Sequence, residues 1–63
     1  MKVRYNGGTD SLIECTSPVG VLVPGRVYEE SGAIELANGL QKNIYLKEAC
    51  GLFNASWFEV VKG

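Results

Sequence analysis

Apolar residues in this chain never hold a 3.6-residue spacing over the roughly 11–18 residues that an amphipathic helix requires. They come instead in short runs separated by glycine, of which there are eight among 63 residues. Together these features confine the chain to strands, turns and at most a single turn of 3-10 helix. A chain of this length forms one domain, burying only roughly 60% of the surface it exposes when unfolded. Strands with no helix to cover them bury one face by curling on themselves. The expectation is therefore all-β: a small barrel of about five to six short antiparallel strands, as one domain over residues 1–63.

Local patterns place the strands. Val3 and Tyr5 alternate with Lys2 and Arg4, as in a half-buried strand. Asn6-Gly7-Gly8-Thr9-Asp10 is a dense turn signal. Residues 11–16 read as extended again, with Ile13 and Cys15 on one face and Leu12 covering an edge. Pro18 and Pro24 bracket a loop with apolar contents, Val19, Val21, Leu22 and Val23. A strand starts after Pro24-Gly25, in Arg26-Val27-Tyr28-Glu29-Glu30. Ser31-Gly32 reads as a turn and Ile34-Glu35-Leu36 as a short strand, while Asn38-Gly39 is the strongest hairpin signal present. Ile44 and Leu46 then share a face opposite Tyr45. Cys50-Gly51-Leu52-Phe53 is a further candidate strand, Asn54-Ala55-Ser56 is the expected 3-10 turn, and Trp57-Phe58-Glu59-Val60-Val61 closes the chain. With Phe58 and Val60 inward, Trp57 turns outward beside Glu59 and Val61. The expected core is Val3, Tyr5, Ile13, Cys15, Val27, Ile34, Ile44, Leu46, Leu52, Phe58 and Val60.

Composition excludes more function than it suggests. Without histidine there is no imidazole base, no Ser-His or Cys-His pair and no mixed Cys/His zinc site. Glu29 and Glu30, as neighbours on a strand, face opposite ways and form no carboxylate pair. No glycine-rich phosphate loop has Walker or dinucleotide spacing. The protein is expected to be non-enzymatic, with no cofactor and no metal. A net charge of -1 argues against a protein devoted to neutralising phosphates. The N-terminus turns polar before an apolar stretch of signal-peptide length could form, and no run approaches the ~20 residues that span a bilayer. A cytoplasmic location follows as the expectation, with Cys15 and Cys50 as small buried free thiols.

The segment Gly51-Leu52-Phe53-Asn54-Ala55-Ser56-Trp57-Phe58-Glu59-Val60-Val61 resembles the closing segment of an SH3 domain, where a strand passes through a 3-10 turn into a final short strand. Val23-Pro24-Gly25-Arg26-Val27-Tyr28-Glu29 resembles the exit from that family's long first loop, and Val3-Arg4-Tyr5 its first strand. More closely, the chain is similar to small bacterial and phage-encoded SH3-like proteins, through Met1-Lys2-Val3-Arg4-Tyr5, Gly25-Arg26-Val27-Tyr28-Glu29 and Phe58-Glu59-Val60-Val61. The resemblance implies an SH3-like barrel and, of two registers open to the middle of the chain, favours the one with its distal turn at Glu48-Ala49. In one, Cys50 to Phe53 is the fourth strand, Glu48-Ala49 the distal turn, and residues 31–43 an enlarged loop or extra hairpin. In the other, Asn38-Gly39 is the distal turn and residues 47–56 are irregular. Proline-rich peptide recognition is not implied. The family's Ala-Leu-Tyr-Asp-Tyr motif and its groove tryptophan have no counterpart here, and Asn54 replaces the proline of its 3-10 turn. The first loop is apolar rather than acidic, with only Asp10 and Glu14 near it.

What remains is a surface. Val19, Val21, Leu22 and Val23, if turned outward, form an exposed apolar patch, and such patches usually mark partner contacts; turned inward they cap an open barrel. Trp57 is either an exposed hot spot or the cover of one barrel end. Tyr28 and Tyr45 are nearby aromatics. The expected function is protein–protein interaction through these residues, in a phage or mobile-element protein that docks on a host or phage protein. One alternative is a nucleic-acid-binding barrel using Lys2, Arg4, Lys42, Lys47 and Lys62 with stacking rings. Another is a homodimeric structural protein. Glu29, Glu30 and Glu35 read as a solvated acidic face.

Overall fold

A computed structural model describes all residues except Leu12, Glu14 and Gly63, so the expected edge-covering role of Leu12 and the position of Glu14 lie outside the described residues. Alternation builds the first strand, β1 (Lys2–Tyr5), with Val3 and Tyr5 buried and Lys2 and Arg4 exposed. After a long loop come β2 (Val27–Leu36), β3 (Gln41–Leu46) and β4 (Phe53–Asn54). A 3-10 turn over Ala55–Trp57 leads into β5 (Phe58–Val61). All pairings are antiparallel, in the order β4-β3-β2-β1-β5.

The all-β class, the antiparallel pairing and the 3-10 turn are as expected, but the sheet does not close into a barrel. Its edges, β4 and β5, make no ladder with each other among the described residues. The reason is local: β4 has two residues, and Asn54 then caps the turn, its side-chain oxygen accepting from the Ser56 N–H. Residues 11–16, expected to be extended, contribute no strand among those described.

The middle of the chain combines both registers. Asn38-Gly39 joins the two longest strands in a turn where Ala37, Asn38 and Gly39 all have positive φ, at 52°, 59° and 86°. The fourth strand lies at Phe53–Asn54, with Glu48-Ala49 in the bend before it. Ser31-Gly32, read as a turn, is instead a bulge inside β2, where the pairing shifts between Glu30↔Leu46 and Gly32↔Tyr45. One extra residue reverses which side chains face the core.

That reversal corrects part of the expected core. The buried cluster is Val3, Tyr5, Leu22, Tyr28, Ile44, Leu46, Phe53 and Trp57, with Cys15, Ala49, Ala55 and Phe58 packed against it. Ile34, beyond the bulge, pairs with Asn43 rather than sharing the face of Ile44, and is exposed. Val27 sits opposite Arg4 on the outer face and is also exposed. Val60 lies opposite buried Val3, but on an edge strand with a ladder on one side only among the described residues, and stays 61% exposed. Ile13 and Leu52 are half-buried. Both cysteines are free; Cys15 is half-buried, but Cys50 is exposed in the bend after β3 rather than buried.

Exposed charges along the sheet are interleaved. Lys2 is paired with Glu29, Lys42 with Glu35, and Arg4 with Glu59, whose carboxylate receives Arg4 Nη1 at 2.8 Å. The terminal ammonium donates to Glu29 Oε2 at 2.7 Å, and this hydrogen bond is the main reason the Glu29 carboxyl titrates below its ordinary value of 4.5. A depressed folded-state value means the contact stabilises the fold above pH 4.5 and is lost as the pH falls through the lowered value. Melting temperatures of the wild type and Glu29→Gln should therefore differ slightly at neutral pH and converge below pH 4.5. A constant gap down to pH 2 would contradict this.

Candidate functional site

The loop before β2 sorts its apolar residues by direction. Pro18 and Leu22 are buried, whereas Val19, Val21 and Val23 are 75%, 45% and 53% exposed. Their backbone is tied at several points. The Pro18 carbonyl accepts from the N–H groups of Val21 and Leu22 at 3.1 and 2.9 Å, closing a turn that Gly20 permits with φ of 78°. Val23 N–H donates to the Tyr28 hydroxyl at 2.9 Å, and its carbonyl accepts from Arg26 N–H at 3.1 Å. Gly25 N–H then donates to the Tyr5 carbonyl at 2.8 Å. Arg26 lies over the Tyr28 ring, 5.7 Å from its centre. The Tyr5 phenol, which donates to the Gly8 carbonyl, is held above its ordinary pKa by burial and then by Tyr28.

Leu22, Tyr28 and Trp57, expected on the surface, are thus corrected inward. Leu22 anchors the loop in the core because the Pro18 turn points it opposite to its neighbours. Tyr28 faces the core with Val3 and supports the loop from below through its hydroxyl. Trp57 belongs to the 3-10 turn, so the strand alternation that would have sent it outward does not begin until Phe58. Its ring is 2% exposed and Nε1 donates to the Asp10 carbonyl at 2.6 Å. Trp57, Ile13, Cys15, Pro18 and Val19 line a shallow hollow of about 300 Å³ beside the valines. Tyr45 is exposed but lines a different hollow, by the bend after β3, with Lys47, Glu48 and Cys50. Tyr45 and the valine loop therefore do not form one surface.

A polar layer went unseen in the sequence. Gln41, Asn43 and Asn54 are buried together, Asn43 being paired with Asn54 across β3 and β4. They lie beneath Asp10, Ser11 and Ile13, which the side chains of Gln41 and Asn54 hold by hydrogen bonds. Gln41 and Asn54 also line an open groove of about 440 Å³ with Asp10, Leu40, Lys42 and Ser56. Asn43 Nδ2 is buried with no partner among the described residues, a state costing about 1–3 kcal/mol. Buried amides two residues apart, around an exposed Lys42, are a signal only in hindsight, because polar residues default to the surface.

Among the described residues, no group of three or more Cys, Asp or Glu side chains is placed to hold a metal ion, and no helix is long and apolar enough to cross a membrane. Comparison with protein-family models, with curated proteins and with solved structures found no match.

Proposed function

We propose that the protein is a non-catalytic docking module whose contact surface is the Val19, Val21 and Val23 face of the first loop. The observation that carries this reading is a loop with apolar side chains facing water on a backbone that is already fixed. Buried Pro18 and Leu22, with the Tyr28 hydroxyl, hold that backbone, so little conformational freedom remains to be lost on binding. Unanchored apolar loops would fold back into the core; this one divides its residues between the two roles. The fitting partner is a protein with an apolar depression, and the cytoplasm is the proposed location.

An SH3-like reading is supported by the arrangement of the strands. A long bulged β2 is shared between β1 and β3, and a 3-10 turn connects the last two strands in the segment that carries the resemblance. The phage or mobile-element setting rests on that resemblance alone. Nucleic-acid binding has less support, since Lys2, Arg4 and Lys42 each sit opposite a carboxylate or an apolar residue. A homodimer is favoured by one observation, the exposed Val60. The Asn6 N–H to Trp57 carbonyl bond sets the ladder phase, so the main-chain groups of Val60 point off the free edge of β5.

Val21→Asp with Val23→Asp should leave the melting temperature within a few degrees of wild type, because both side chains already face solvent. The same variant should lose the partners that wild-type protein retains from its native host. Leu22 is left intact, since a carboxylate there would enter the core. Unchanged retention by a folded double variant would overturn the reading. A solution mass above 6.8 kDa at micromolar concentration, abolished by Val60→Lys, would favour the dimer instead.

A further inference from the structure

Two Asn-Gly dipeptides occur in the chain, Asn6-Gly7 and Asn38-Gly39, and both are exposed. Asparagine followed by glycine is open to attack on itself, because glycine has no side chain to shield its amide nitrogen from the neighbouring side-chain carbonyl. The fold holds the two dipeptides in opposite ways.

At Asn6 the side-chain amide is clamped at both ends. Oδ1 accepts from the Gly8 N–H at 2.8 Å, and Nδ2 donates to the Ser56 carbonyl at 3.1 Å. The main chain is fixed at the same place. Asn6 N–H donates to the Trp57 carbonyl at 2.7 Å, and Gly8 packs against the buried Trp57 ring. Turning Asn6 Cγ toward the Gly7 nitrogen therefore means undoing contacts that reach the core.

At Asn38 the side chain has no hydrogen bond among the described residues. Its turn is held by Gly39 N–H donating to the Leu36 carbonyl at 3.1 Å and Leu40 N–H donating to the Ala37 carbonyl at 3.2 Å. Residues Ala37 to Leu40 are all exposed, so these bonds can break at the tip while the core stays packed. Ala37 sits at φ of 52°, in the left-handed region that side-chain-bearing residues avoid, and opening releases that strain.

We propose that Asn38 is a site of spontaneous covalent conversion in the folded protein, and that Asn6, in the same dipeptide, is protected. When the tip opens, the Gly39 nitrogen is freed from Leu36 and bonds to Asn38 Cγ, closing a succinimide ring. The bond from Cγ to Nδ2 breaks, and Nδ2 leaves as ammonia with the proton that the Gly39 nitrogen gives up. Water then opens the ring at either carbonyl. Opening at Cγ leaves an aspartyl residue; opening at the main-chain carbonyl leaves an isoaspartyl residue, whose chain continues through Cγ. Both products carry a carboxylate where the amide was neutral, making the net charge of -1 more negative by one. The new charge arises beside Glu35, whose Oε2 lies 3.6 Å from the position of a Cβ on Gly39. The isoaspartyl product also lengthens a turn that closes on the pair of Leu36 and buried Gln41. The β2–β3 turn thus carries a slow, one-way change, independent of the valine loop.

The test is a peptide map of the whole chain after days in mildly alkaline buffer. Trypsin separates the two sites, placing Asn6 in residues 5–26 and Asn38 in residues 27–42. Mass spectrometry reads each conversion as a gain of one mass unit. In the folded protein Asn38 should convert faster than Asn6 by about tenfold or more, since its opening is local. In guanidinium chloride, where the fold no longer separates them, the two rates should approach each other. Comparable rates in the folded protein, or no conversion at Asn38 while the unfolded chain converts, would overturn the proposal. So would a preference for Asn38 that persists unchanged in denaturant, because flanking residues rather than the fold would then set it. Asn38→Gly suits the φ of 59° and removes the reacting amide, so it should abolish the more acidic species on ion exchange. That species forming at the wild-type rate in Asn38→Gly would also overturn the assignment.

Discussion

Trp57→Ala is expected to remove a third or more of the chain's folding stability. A domain of 63 residues has a stability of about 3–9 kcal/mol. Truncating a fully buried aromatic removes about 3–5 kcal/mol of it. Trp57 is buried among Phe53, Tyr5 and their neighbours, and it also ties the Asp10 carbonyl to the core. Gly8 shows how closely the ring is packed, because a Cβ there would lie 2.6 Å from Trp57 Cδ1. Trp57→Phe keeps most of the apolar volume and loses the indole bond, so it should fold with a loss of about 1–2 kcal/mol. Urea titration followed by far-UV circular dichroism distinguishes the outcomes. A cooperative transition in Trp57→Ala near the wild-type midpoint would show that the ring is peripheral.

Gly51→Ala should be nearly as damaging, for a different reason. Gly51 has φ of 127°, a conformation that side-chain-bearing residues rarely adopt. A Cβ at this position would also fall 2.7 Å from Thr16 Cβ and overlap Thr16 Oγ1. That hydroxyl cannot move freely, because it accepts from Leu52 N–H at 3.0 Å while Thr16 N–H donates to the Leu52 carbonyl. Backbone strain and overpacking together should cost about 3 kcal/mol or more. Thr16→Gly in the same chain separates the two contributions. It relieves the overlap but not the strain, so the double variant should recover part of the loss relative to Gly51→Ala. No loss in the single variant would mean that the bend can take another path.

Much of the fold was legible where alternation is uninterrupted. Val3 and Tyr5 in β1, and Ile44, Leu46 and Tyr45 in β3, all face as their period-two pattern implies. Asn38-Gly39 and the capped Asn54-Ala55-Ser56 turn were equally plain, because each residue has a local physical reason to be there. Legibility failed wherever alternation had to be carried across an irregularity. Counting through Ser31 put Ile34 inside, and the bulge put it out. Counting back from Phe58 put Trp57 outside, and the 3-10 turn put it in.

The candidate site was half legible for the same reason. An apolar loop between two prolines stands out, but which of its residues anchor and which protrude depends on the turn at Pro18 and Gly20. The sequence pattern alone left both outcomes open. The Gln41, Asn43 and Asn54 layer was not legible at all. Asp10, Ser11 and Ile13 contact it from a distant part of the chain, Ile13 lying 28 positions before Gln41.

The position of β1 between β2 and β5 also sets an order of events during folding. β2 and β3 are joined by a short turn and can zip together while the rest of the chain is still disordered. β1 has no such near neighbour: one flank waits on the closure of the long first loop, and the other on Phe58–Val61, with Arg4 and Glu59 separated by 55 positions. Loop-closure entropy delays both contacts, so the hairpin is the early structure and the strand at the start of the sequence is among the last to be fixed.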